Sequence, residues 1–565
     1  MLLAEAKLKK RLKELEPYRY RDAVRVSPLK FCLDEKREVV SYPPSSAKWK
    51  SIRVGERWKG RDLYAWLTSD VYVPGEWNGK QVVGLFDFGK TGGGHNSGFE
   101  SLLFVNGKPY QGVDSNHREV FLPESAPGDT VQLAFRLWSG LEGGGPRKEQ
   151  EHEIRRAELA WLDEETDNLY YTARAVLEAV MVLEDNSAER TLLLQTLDRA
   201  FKQIDWSKPG SEAFYRSVHG ARERLSRELE QLQKHHPVTV RCIGHTHIDV
   251  AWLWRLKHTR EKCARSFSTV LRLMERYPEY VFLQTQPQLY DYVKADYPGV
   301  YEQIKERVKE GRWEAGGGMW VEADCNLPSG ESLVRQLLFG TRFFRDEFGV
   351  ECRYLWLPDV FGYSWALPQI LKKSGIDVFM TTKISWNQYN RMPHDTFFWR
   401  GIDGSEVLTH FITTPVPDPE PGSWFYTYNG TITPETVKGI WDAYRDKTVN
   451  RELLLAYGYG DGGGGANRDM LEMRRRVDRI PGLPHAETGR ADEYFARLKE
   501  RITGAEDYVH TWDGELYLEY HRGTYTSQAY NKKMNRKLEL MFRETEWLGA
   551  MASAVHADWT HYKDK

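Results

Sequence analysis

The stretch Val238-Thr239-Val240-Arg241-Cys242-Ile243-Gly244-His245-Thr246-His247-Ile248-Asp249 decides how the second half of this chain is read. Val238, Val240 and Cys242 alternate with polar residues, the pattern of a strand with one buried face. Side chains two apart on a strand share a face. If the extended geometry persists, His245, His247 and Asp249 project together from the strand's end. A His-x-His pair alone is more often structural than a metal site. Asp249 at the next same-face position shifts the reading, because two imidazoles and a carboxylate suit zinc or another divalent cation. Trp252 and Trp254 follow at once, and aromatic faces are good platforms for sugar rings.

Outward from this motif, strands and amphipathic segments alternate. Expected strands are 238–244, 281–286, 313–321, 353–357, 377–382, 406–412 and 453–459, with helical stretches such as Leu333 to Phe348 between them. Such alternation implies an α/β fold with a parallel sheet. Seven strands fit a distorted (β/α) barrel better than a doubly wound sheet. No GxGxxG follows the first strand, where a dinucleotide fold would carry it. The tract Gly316-Gly317-Gly318 lets backbone approach closely, either to packing neighbours or to a ligand.

Upstream, residues 1–40 are charged and periodic and read as a helical arm. Residues 41–155 read as a β-sandwich of short alternating runs, including a hairpin turning at Asn106-Gly107. Residues 156–236 read as a helical linker, with i,i+4 pairs at Glu223–Arg227 and Arg224–Glu228. The barrel is expected over 237–510 and the start of a helical bundle over 511–565. The formal net charge of −2 gives no field favouring nucleic acid or an anionic membrane. Apolar runs are too short and too broken by charge to span a bilayer. The N-terminus turns charged too early for a signal peptide. Five widely spaced cysteines argue for the cytoplasm and against a disulfide framework. The 20 Trp, 30 Tyr and 23 Phe fit carbohydrate handling, but large cores also use aromatics.

Functional groups of parallel barrels gather where strands end. Three such ends carry aspartate: Asp249; Asp359 in Trp356-Leu357-Pro358-Asp359-Val360-Phe361-Gly362-Tyr363-Ser364; and Asp461 in Tyr459-Gly460-Asp461-Gly462-Gly463-Gly464-Gly465. Asp359 could equally cap a helix beginning at Val360. Asp461 could sit in a plain turn. A phosphate loop is disfavoured there, because the Lys-Ser/Thr ending is missing.

Taken together, these motifs resemble glycoside hydrolase family 38, the α-mannosidases, over about 238–540. The carriers are His245-Thr246-His247-Ile248-Asp249-Val250-Ala251-Trp252, the Asp359 segment with Leu367-Pro368-Gln369-Ile370-Leu371, Phe398-Trp399-Arg400-Gly401 and the Asp461 loop. Gly514-Glu515-Leu516-Tyr517 and Tyr520-His521-Arg522-Gly523-Thr524-Tyr525-Thr526-Ser527-Gln528 complete them. The β-rich start points to the cytosolic and bacterial branch. The resemblance implies a retaining exo-α-mannosidase with zinc or another divalent cation, acting on mannose-containing oligosaccharides. It implies His247, Asp249 and Asp359 as metal ligands, Asp359 also as nucleophile, and Asp461 as general acid/base. Trp252, Lys383 and Tyr525 would contact substrate, and His245 would buttress the site.

The family supplies a further histidine ligand from a later His-Asp segment, which is not found here; His556 and His561 do not match it. The chain therefore reads as the N-terminal portion of a larger enzyme, impaired when alone, with a C-terminal fragment or a second copy of the chain (a homo-oligomer) as its expected partner. Two other readings stand beside it. One is a metal-dependent polysaccharide deacetylase using water as nucleophile. The other is a non-catalytic mannose-binding remnant.

Overall fold

A computed structural model of the chain describes residues 3–43, 48–90, 98–416 and 423–555; His556 and His561 lie outside these. The first third is an antiparallel sandwich. One sheet orders its strands Tyr20–Arg25, Arg156–Leu162, Val82–Asp87 and Glu119–Phe121. The facing sheet has six strands, with Tyr64–Tyr72 and Thr130–Trp138 at its centre. Alternate residues such as Leu67, Leu103, Phe135 and Leu159 fill the space between the sheets. The expected hairpin is formed: Asn106 and Gly107 both take positive φ, 49° and 78°, between strands Glu100–Val105 and Lys108–Gly112.

Two expectations for this region are corrected. The N-terminal arm is a helix only over Ala4–Leu15; its remainder supplies strands Tyr20–Arg25 and Leu29–Leu33 to the sandwich. The helical linker begins later than expected, because Arg156–Leu162 is a strand paired on both sides. Ala157 and Leu159 bury on the sandwich core, so pairing within the sheet wins there over the helical character that follows. Helices Glu164–Val182, Ala188–Phe201 and Glu212–Glu230 then pack together. Each starts at a side-chain cap, from Asp163, Ser187 and Ser211. Of the two charge pairs on the last helix, Arg224 bonds Glu228 at 2.7 Å, and Glu228 also binds Arg199.

All seven strands expected after Pro237 are formed, most of them shortened. Thr239–His245 lies parallel to Phe282–Gln284, Glu452–Tyr457 and His485–Thr488, and Phe282–Gln284 in turn to Trp313–Ala315. Tyr354–Trp356, Val378–Thr381 and Glu406–Phe411 form a second parallel set, extended by the antiparallel strand Thr396–Arg400. Ladder hydrogen bonding thus divides the region between two sheets. The strand expected over 313–321 stops at Ala315, because Gly317 and Gly318 turn the chain at φ 107° and 93°. A Cβ on Gly317 would lie 2.6 Å from Thr285, so this tract serves packing. Beyond the strands, helix Ala529–Ala554 closes the described chain.

Candidate active site

The strand leading into the motif ends at His245, and residues 246–249 belong to no strand. The two histidines therefore part company, which corrects the same-face expectation. His245 is buried against the Trp356 ring, centroids 5.3 Å apart. Burial, with the neighbouring His247, pulls its pKa down to about 3, so it is neutral. It stays outside the cluster that His247 enters.

His247, Asp249 and Asp359 bring ligand atoms within 4.8 Å of one another, the one such group among the described residues. His247 Nε2 lies 3.5 Å from Asp249 Oδ1, 3.7 Å from Asp359 Oδ2 and 3.8 Å from Asp461 Oδ1. Three strand ends, far apart in sequence, thus converge on one ring nitrogen. No helix starts at Val360, so the capping reading of Asp359 is excluded; the next helix begins at Leu367. Lys383 is buried and places Nζ 2.5 Å from Asp359 Oδ1. Its ammonium also lies 3.6 Å from the centre of the Trp386 ring.

Asp461 sits at φ 51°, a left-handed conformation uncommon outside glycine. Its carboxylate accepts from Tyr428 Oη at 3.0 Å and from Asn429 Nδ2 at 3.4 Å. Burial, reinforced by the charges of Asp359 and Asp249 and opposed by His247, raises its pKa to about 6. Burial disfavours the His247 imidazolium, but the Glu322 and Asp249 carboxylates overcome this and hold its pKa well above the ordinary value.

Trp252 and Tyr525 do not join the cluster. Trp252 is 52% exposed and meets Trp254 edge to face. The Tyr525 hydroxyl donates to the Phe361 carbonyl at 3.0 Å and accepts from Asn326, which braces the chain just after Asp359. Three neighbours went unread in the sequence: Glu322, Tyr428 and Asn429. Glu322 Oε2 lies 2.7 Å from His247 Nδ1 in a bent contact, with both side chains buried. Its place a few residues beyond the glycine tract was the available signal. A cavity of about 940 Å³ lies elsewhere, between the sandwich and the helices, and holds none of the convergent carboxylates.

The donors fit a divalent cation: one imidazole and two carboxylates, with a buried His247 Nε2 that has no hydrogen-bond partner. A pair of carboxylates with one in a pKa-raising environment is the arrangement of a glycoside hydrolase. Comparison with known proteins agrees. Residues 237–515 match "Glycosyl hydrolases family 38 N-terminal domain", 519–565 "Alpha mannosidase middle domain" and 32–160 "Alpha-mannosidase, jelly roll domain". The chain belongs to glycoside hydrolase family 38. It is 34% identical to α-mannosidase G of Dictyostelium discoideum, over 93% of this chain and 46% of that protein. It is 35% identical to human α-mannosidase 2C1, over 91% and 48%. It is 37% identical to the Saccharomyces cerevisiae α-mannosidase, over 73% and 38%. The chain thus spans about half the length or less of these curated relatives. No helix among the described residues is long and apolar enough to cross a membrane.

Proposed function

We propose that this chain carries the hydrolytic site of a retaining exo-α-mannosidase acting on terminal α-mannosyl residues of oligosaccharides. The observation that carries the reading is the approach of Asp359 and Asp461 to the same nitrogen of His247, at 3.7 and 3.8 Å. The two carboxylates therefore face one small space, as retention requires. Asp359 is the nucleophile. Lys383 engages Oδ1 and leaves Oδ2 on the His247 side. Asp461, protonated at its raised pKa, gives its proton to the leaving glycosidic oxygen. It then takes a proton from the water that hydrolyses the glycosyl ester on Asp359.

His247, Asp249 and Asp359 would hold the divalent cation, zinc being the expected ion. When bound, the cation supplies Lewis-acid anchoring of the sugar's vicinal hydroxyls. Trp252 offers a face to a sugar ring. The two parallel sheets read as the sides of one distorted barrel, since Ile243 and Leu283 of one pack in a common core with Trp356 and Met380 of the other. Five buried free cysteines support a reducing compartment, the cytoplasm.

The test is covalent trapping. Incubation of the zinc-loaded chain with a fluorinated mannosyl fluoride should add one glycosyl mass to the peptide containing Asp359, and Asp359→Asn should abolish it. Acetate release from acetylated sugars without labelling would favour the deacetylase instead.

A further inference from the structure

The four glycines after Asp461 pose a packing question that the chemistry above does not answer. Part of the loop's shape is internal. Tyr459 and Gly465 exchange backbone hydrogen bonds at 2.8 and 2.9 Å, and Gly463 N–H donates to the Gly460 carbonyl at 2.8 Å. Nearby strand ends add to this: Gly462 N–H donates to the His247 carbonyl at 3.2 Å, and Thr246 Oγ1 to the Tyr459 carbonyl at 3.1 Å. Further partners come from the sandwich, more than 300 residues away. Asn116 Nδ2 donates to the Gly463 carbonyl at 2.9 Å. His117 Nε2 lies 3.0 Å from the Ala466 carbonyl, and its Nδ1 lies 3.0 Å from Asp114 Oδ1. Both ring nitrogens thus face oxygen acceptors, which only the imidazolium satisfies on both sides. Asp114 also accepts from the backbone N–H groups of Asn116 and His117 at 2.8 and 3.0 Å, which fixes the turn that presents them.

The glycines make room for these contacts. A Cβ on Gly464 would lie 2.6 Å from His117 Cε1, so the imidazole rests on the bare α-carbon. A Cβ on Gly462 would lie 2.6 Å from Lys262 Cδ, and the buried Lys262 ammonium pairs with Glu100 of the sandwich. Gly462 and Gly464 both have positive φ, 79° and 99°. The loop is therefore held by the sandwich as well as by its own surroundings, while Asp461 takes a left-handed conformation, which costs about 1–3 kcal/mol for a non-glycine residue.

We infer that the β-sandwich is a working part of the hydrolytic site: His117 and Asn116 are positioning residues that hold the Asp461 loop in its proton-donating geometry. The inference rests on Asp461 as general acid, and its test separates the two. His117→Ala and the milder Asn116→Ala are made in the full chain; Asn116 is only half-buried, so its variant should fold even where the His117 variant does not. Amide exchange over residues 460–466 should rise about tenfold or more in either variant. The Glu452–Tyr457 strand should keep its protection. A misplaced acid slows substrates whose leaving group needs a proton, so hydrolysis of methyl α-mannoside should fall about tenfold or more. Hydrolysis of 2,4-dinitrophenyl α-mannoside, whose leaving group needs none, should stay within about twofold. Unchanged loop exchange, or equal losses on both substrates, overturns the inference. If the unsubstituted chain hydrolyses neither mannoside even when supplied with a C-terminal fragment, the functional reading fails and loop exchange alone decides whether the sandwich holds the loop.

Discussion

Glu322 Oε2 stands 2.7 Å from His247 Nδ1, the ring nitrogen not turned toward Asp249 and Asp359. A carboxylate on the outer nitrogen of a ligating histidine fixes the tautomer and ring orientation and raises ligand basicity. Glu322→Gln keeps the shape and removes the charge. It should weaken zinc binding about 10- to 100-fold, the usual effect of losing such a partner. Competition against a chromophoric chelator measures this directly, and unchanged affinity would show that Glu322 only fills space.

The cation itself should stabilise the fold. Three ligands drawn from two separate loops bind only when the chain is folded. Saturating zinc at a thousand times its dissociation constant would add about 4 kcal/mol. Calorimetry of chelator-treated protein with and without added zinc should show the rise in Tm. His247→Ala and Asp249→Ala should abolish that rise; an undiminished rise in both would place the ion elsewhere.

Asp461 makes opposite demands on activity and stability. As the acid it must be protonated, so kcat/KM should fall as pH rises through about 6. The folded state holds this proton more tightly than the unfolded chain, whose ordinary value is 3.8. Stability from this group is therefore full below 3.8 and lost as pH rises through about 6. Asp461→Asn in metal-free protein should gain about 1–2 kcal/mol at pH 7.5, discounted because the side chain is 23% exposed, and nothing at pH 3.5. Denaturant titrations at the two pH values check the sign. A gain that is larger in acid would refute the assignment.

Gly458 leads into the acid loop at φ 131°, and a Cβ there would lie 2.1 Å from the His245 carbonyl oxygen. Backbone on both sides leaves no room to relax. Gly458→Ala should cost about 3 kcal/mol or more from strain and overpacking together. A variant that melts within a degree of the parent would show that the two strand ends can separate freely.

Local patterning made much of the fold legible. The strand before His245 and its six expected counterparts declare themselves through short apolar runs, and Asn106-Gly107 through its turn chemistry. The strands Tyr20–Arg25 and Arg156–Leu162 stayed hidden because each carries charged residues and adjoins helix-like sequence. What makes them strands is pairing with partners such as Val82–Asp87, a non-local fact. The motif aspartates were readable as strand-end residues. Glu322 had only its place after the glycine tract to mark it, and nothing in the neighbourhoods of Tyr428 and Asn429 marks them as facing Asp461.

By itself the sequence determined most of the elements, the family and the kinds of group available: imidazole, carboxylate, ammonium and indole. Only the tertiary structure decided which groups meet. Period-2 geometry would have put His245 beside His247, yet the strand ends between them, and one ring enters the core while the other meets four carboxylates. The same holds for the glycines after Asp461, which read locally as a turn. Gly462 and Gly464 are small because Lys262 and His117, brought by other elements, occupy the space side chains would need.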